Sequence, residues 1–317
     1  MTDTRAFLAA RGLPPGDLRD LPDSAKRFPD GAHYRVEIPS TEGPRCLEAV
    51  LEEAERLDVL VHRVSQGSGA FLLTDAELDE YARMAAAARV EVSIFAQPFA
   101  AWTVSATARA KSGGVVAGSV HGQDGIVNAL DDIRRSAAHG FRSVLISDVG
   151  LLAAFGEARR DGLIPADMQA KVSVMLPVAN PMTARVLVDL GADTLNLVTD
   201  LSPAQMAAIR AVTDVPLDVY LESTDDMGGF LRHYELPEII RVAAPVYVKL
   251  GLANAPGLYP AGTHLEATAV ALSRERVRRA RLALELLGRS GYAPTTSERG
   301  AEGVALPVPR AVPAASA

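Results

Sequence analysis

From residue 34 onward the chain alternates between stretches with apolar residues at every second position and stretches with helical spacing. Within 215–223, Leu217, Val219 and Leu221 alternate with Asp218, Tyr220 and Glu222. Within 245–252, Val246, Val248 and Leu250 alternate with Tyr247, Lys249 and Gly251. Side chains on a strand point to opposite faces with period two, so each segment predicts a strand with one aliphatic and one polar face. Further strands are predicted over 34–39, 59–64, 90–97, 142–147, 171–177 and 194–199. Between them lie helices over 43–57, from the Thr74-Asp-Ala-Glu77 capping box, from Asn180-Pro181, from Ser202-Pro203 and over 267–287. Eight strand–helix units imply parallel pairing through right-handed crossovers, and the expected fold is a single (β/α)8 TIM barrel. An open doubly wound sheet would carry a glycine-rich phosphate loop after its first strand, and Pro39-Ser-Thr-Glu-Gly43 is not one.

Residues 1–32 read as a short N-terminal extension packed on the barrel, 33–291 as the barrel, and 292–317 as a flexible tail. The tail is rich in Pro, Ala, Ser and Gly and is expected to bury little. Two long connections follow strands three and eight, residues 98–123 and 253–264. Both belong to the barrel face on which active sites of this fold are built.

The polar faces are informative because barrel interiors are usually filled with branched apolar side chains. Alternation predicts an inward set of Arg35, Glu37, Glu91, Ser93, Gln97, Ser147, Asn196, Asp218, Tyr220, Glu222, Tyr247 and Lys249. Strand two, containing Val61-His62-Arg63, cannot be phased by pattern. Enclosed charges must be paired, hydrated or bound to something. Lys249 with Glu222 is the expected catalytic pair, an ammonium and a carboxylate exchanging protons with a substrate or polarising a carbonyl. A desolvated lysine could also form a Schiff base. The competing reading is a structural ion pair. Glu37, Arg63, Gln97, Trp102, Arg109, Asn196, Tyr220, Tyr247 and His264 are expected to bind substrate. Glu37, Asp148 and Glu222 offer oxygen ligands that would suit magnesium or manganese, although Asp148 reads better as a helix cap.

A net charge of −7 at 48% hydrophobic and 22% charged residues describes an ordinary globular chain without a general nucleic-acid surface. One cysteine, Cys46, excludes an intrachain disulfide and a cysteine-ligated iron–sulfur cluster within this chain. The first residues carry no apolar signal region and no apolar run approaches a membrane span, so a cytoplasmic protein without a membrane partner is the expectation. The expected partner is a small-molecule substrate. Homo-oligomer formation through exposed helices is compatible with the architecture.

Several motifs of the second half resemble the collagenase-like peptidase family, unassigned peptidase family thirty-two, whose members carry (β/α)8 barrels. Gly191-Ala-Asp193 opens strand six and Asp200-Leu-Ser202-Pro leads into the next helix. Asp218-Val-Tyr220-Leu-Glu222 stands where that family has Glu-x-Phe-x-His-Gly. Leu236-Pro-Glu238-Ile-Ile and Val248-Lys249-Leu-Gly251 follow in the matching order, and the resemblance spans about residues 140–290. Only Lys249 carries over. The family's His-Gly is replaced by Glu222-Ser223, its glutamate after the lysine by Gly251, and its cluster cysteines are missing, which implies no iron–sulfur cluster. No Ser–His–Asp, Cys–His or zinc pattern supports peptide hydrolysis. The expected activity is therefore of lyase, aldolase or isomerase type on a small polar carbonyl- or hydroxyl-bearing substrate. A peptidase-like hydrolase and a non-catalytic ligand-binding barrel are the alternatives.

Overall fold

Period-two alternation in this chain closes a barrel. The computed structural model describes residues 4–10 and 20–310, and in it eight parallel strands pair in sequence order, β8 returning to β1. The strands are β1 (Tyr34–Ile38), β2 (Arg63–Gln66), β3 (Glu91–Phe95), β4 (Ser143–Ile146), β5 (Gln169–Val172), β6 (Thr194–Asn196), β7 (Leu217–Glu222) and β8 (Val246–Leu250). A first helix, α1 (Thr4–Ala9), precedes the barrel. The connecting helices are α2 (Pro44–Arg56), α3 (Asp75–Ala88), α5 (Gly122–Ala138), α6 (Val149–Arg160), α7 (Pro181–Asp189), α8 (Pro203–Arg210) and α9 (Leu236–Ala243). A short α4 (Ala106–Arg109) lies in the loop after β3, and α10 (Glu266–Arg289) closes the ring.

The aliphatic halves of the alternation build the layer between strands and helices. Val36, Val64, Val92, Val144, Ala170, Leu195, Val219 and Val248 belong to one buried cluster with Leu47, Leu78, Ile133, Leu152, Leu187, Ile209, Ile239 and Val277 of the helices. Burying such side chains contributes about 1.5–3 kcal/mol each. Helix starts fall where the cap residues indicate. Thr74 and Glu77 form the capping box, Ser202 and Gln205 form another, and Asn180 accepts from the Thr183 N–H.

Two expectations are corrected. β2 and β5 sit at 63–66 and 169–172 rather than 59–64 and 171–177, which brings Arg63, Ser65 and Lys171 inside. Over residues 292–310 the tail is not loose: it lies across the N-terminal end of the barrel. Ser297 takes hydrogen bonds from Arg35 Nε on its hydroxyl (2.8 Å) and from His62 Nε2 on its carbonyl (2.7 Å). Ala305 N–H donates to Glu91 Oε2 (3.2 Å) and Val308 N–H to the Gly140 carbonyl (2.7 Å). A composition poor in bulky apolar groups still orders when buried polar groups need its backbone. Residues 311–317 lie outside the described residues. From the other terminus, residues 20–32 pack on the same end, with Phe28 edge-on to Tyr247 (5.3 Å) beneath the Arg35 guanidinium (4.0 Å). No helix among the described residues is long and apolar enough to cross a membrane.

Candidate active site

Among the described residues the N-terminal end is plugged, and the barrel opens towards the C-terminal ends of its strands. A cavity of about 350 Å³ lies there, lined by Ser65, Ser173, Asn196, Tyr220 and Lys249 at its base. Phe95, Phe99, Trp102, Leu145, Met175 and Tyr259 form its walls. Lys249, Asn196, Tyr220 and Trp102 are thus brought together as the alternation and loop position suggested.

Strand register puts Glu37 beside Lys249 on one side and Arg63 on the other. Lys249 Nζ stands 3.4 Å from Glu37 Oε1 and 4.2 Å above the Tyr220 ring. The Glu37 carboxylate also accepts from Arg63 Nε (2.7 Å), from the Ser65 hydroxyl and from Lys171 Nζ. Lys171 in addition donates to Ser65 Oγ (3.1 Å) and lies 3.4 Å from Asp218 Oδ2. Arg63 completes the network by pairing with Asp218 and stacking 3.5 Å over Tyr247. All of these side chains are buried, so the network holds only because each charge has a partner.

The electrostatics follow from that packing. Burial alone would raise the Glu37 carboxyl, but Arg63, Lys171 and Lys249 outweigh it and hold it well below the usual range. Burial, reinforced by the nearby Arg63 charge, brings the Lys171 ammonium down to about 7 against the pull of Glu37. At the plugged end, burial lowers His62 to about 4, which fits a neutral ring accepting from the Val36 N–H and donating to the Ser297 carbonyl.

Other expected site residues go elsewhere. Glu222 does not pair with Lys249. The β7–β8 register shifts between Tyr220 and Glu222, and the carboxylate accepts from Ala253 N–H (3.0 Å) and Arg279 of α10 (3.4 Å). Gly251 permits this, since a Cβ there would stand 2.6 Å from the Glu222 carbonyl oxygen. Asp148 caps α6 through Leu151 N–H (2.8 Å) and holds Val120 N–H (3.1 Å) at the base of the β3 loop. Glu37, Asp148 and Glu222 therefore sit at three separate places with their own partners. Among the described residues no group of three His, Cys, Asp or Glu side chains is arranged to hold a metal. Arg63 and Tyr247 are interior but lie below the cavity. Gln97 is buried behind the wall, where its Oε1 accepts from Phe99 N–H (3.2 Å). Arg109 and His264 are exposed and do not line the cavity.

Sequence reasoning missed Lys171, Ser65, Phe95, Phe99 and Tyr259. The signal for Lys171 was present, because Ala170 and Val172 flank it with strand alternation. Ser65 waited on the phase of strand two. The aromatic wall spans a strand end and two loops, where no periodicity operates.

No protein-family model matches this sequence, and no curated protein matches it. Solved structures resemble it at low identity. A putative fructose-1,6-biphosphate aldolase from Coccidioides immitis is 15% identical, with a TM-score of 0.48 over 82% of this chain and 93% of that one. A putative lyase/mutase from Burkholderia cenocepacia is 16% identical, with a TM-score of 0.41 over 92% and 91%. A U32 peptidase is 14% identical, with a TM-score of 0.38 over 63% and 73%. Likenesses this distant bear on neither activity nor substrate, and the resemblance to the collagenase-like peptidases remains one of motifs.

Proposed function

We propose that the protein is a lyase- or isomerase-type enzyme that moves a proton next to a substrate carbonyl. The observation that carries this reading is Lys249: a buried ammonium at the base of the cavity, backed by the ionised Glu37. A carbonyl oxygen entering the cavity would accept a hydrogen bond from Lys249, and the enolate formed on reaction would be stabilised by the same fixed charge. Glu37 is too acidic to serve as the base and instead holds the cations in place. The base is Lys171 acting through Ser65, whose hydroxyl lines the cavity and touches the Lys171 nitrogen. With Lys171 neutral, the Ser65 hydroxyl would have to turn from Glu37 to donate to the amine, and would then take a proton from the substrate carbon or hydroxyl while passing its own to Lys171. In the cleavage direction the O–H proton leaves by this route, the adjacent C–C bond breaks, and its electron pair becomes the enolate at Lys249.

Exchange of ketone α-protons for deuterium, followed by proton NMR in D2O with hydroxyacetone and aryl ketones, tests the reading. The intact protein should accelerate exchange, and Lys249→Met should lose about 10²–10³-fold, the range expected for removing one preorganised donor. Equal rates for the two proteins, or no acceleration above buffer, would sink it.

A further inference from the structure

The cavity that this reading treats as the active site has walls unlike those expected for a polyhydroxylated substrate. Phe95 and Phe99 have ring centroids 4.9 Å apart, Phe99 and Trp102 4.7 Å, and Trp102 and Tyr259 6.2 Å. Consecutive rings are tilted by 36–38°, forming a curved aromatic surface along one side. Leu145 and Met175 extend it. Tyr259 can take its place in the wall because residue 67 is glycine, where a Cβ would collide with the ring. Hydroxyl groups laid against such a surface would lose water without gaining partners.

Polar groups gather at the base, with Ser40 and Asp226 the others along the lining. Besides Lys249, Asn196 is the notable group: it is 1% exposed and its Oδ1 has no hydrogen-bond partner. A buried amide oxygen without a partner, on a residue that lines the cavity, is a standing demand for a donor. Among the described residues no arginine lines the cavity and Asp226 does, so Lys249 is the one lining cation that a phosphate would meet there.

We propose that the substrate is an aryl-bearing hydroxy-carbonyl compound. Its ring lies on the Phe95–Phe99–Trp102–Tyr259 surface, its carbonyl oxygen accepts from Lys249, and its hydroxyl donates to Asn196 Oδ1. The proposal rests on the cavity being the reactive site but is tested by binding rather than by reaction. Three ketones separate its parts: phenacyl alcohol carries ring, carbonyl and hydroxyl, acetophenone lacks the hydroxyl, and hydroxyacetone lacks the ring.

By isothermal titration calorimetry on the full chain, phenacyl alcohol should bind about tenfold tighter than either of the others. In Asn196→Ala its affinity should fall to that of acetophenone, while acetophenone itself binds unchanged, which also shows that the variant is folded. Trp102→Ala should weaken both aryl ketones and leave hydroxyacetone alone. Hydroxyacetone binding as tightly as phenacyl alcohol overturns the proposal, as does the absence of saturable binding by either aryl ketone. The expected order of binding without α-proton exchange would remove the proposed reaction and leave this inference standing. Exchange with hydroxyacetone preferred over phenacyl alcohol would do the reverse.

Discussion

Lys171 shows how much a single interior residue can decide. Its ammonium sits between Glu37 and Asp218, yet burial and the Arg63 charge bring it down to about 7 from the usual 10.5. Between those two values the unfolded chain holds a proton that the folded chain has shed. Stability should therefore rise with pH across that window, with the burial penalty felt in full below it. Urea unfolding from about pH 6 to about pH 9 should show this rise, and Lys171→Met should flatten it relative to the parent. The same variant leaves Glu37 paired with Arg63 and Lys249 but with one cation fewer. A slope unchanged by the substitution would mean that the lysine does not titrate in this range. Glu222 marks the opposite lesson. Period-two reasoning aimed it inward, and a register shift at the end of β7, made possible by Gly251, turned it to Arg279 instead.

At the scale of elements, the loop after β3 behaves as a small lobe fastened at its base. Ala100 N–H bonds to the Ser119 carbonyl (2.7 Å), Ala101 N–H to Ala117 (3.0 Å), and Ser147 Oγ to Gly118 (2.6 Å). Asp148 joins this base to the first turn of α6. Its two roles explain why the helix-cap reading was legible in the sequence and the anchoring of residue 120 was not: capping is local, whereas the second bond spans the loop. Asp148→Ala should cost about 1 kcal/mol through the lost cap. It should also make 99–120 the first site of cleavage in limited proteolysis, with the aryl-ketone affinity falling because Trp102 is carried on that lobe. Proteolysis identical to the parent would show that the lobe is held without Asp148. Capping boxes, helix starts and the outward aliphatic faces were all readable because each depends on neighbours in sequence. The wall formed by Phe95, Phe99, Trp102 and Tyr259 was not, because only barrel closure brings the loops after β3 and β8 together.

For the whole molecule, the barrel is plugged at one end and open at the other. The number of strand–helix units predicted closure, and the charged inner faces predicted an enclosed polar centre. The plug is not legible in the sequence because low hydrophobicity predicts looseness, whereas residues 297–308 supply backbone and hydroxyl partners to Arg35, His62, Glu91 and Gly140. A chain ending at residue 291 should lose several kcal/mol, at about 1–3 kcal/mol for each buried polar group left unpaired. Denaturant unfolding would show this as a lower midpoint, and a midpoint equal to the parent's would contradict the plug. The central claim is that Lys249 presents its charge to a carbonyl held in the cavity, and the carbon-13 resonance of carbonyl-labelled phenacyl alcohol bound to the protein reads that contact directly. A downfield shift on binding to the parent, absent on binding to Lys249→Met, is the predicted result; the same resonance position in both proteins would contradict it.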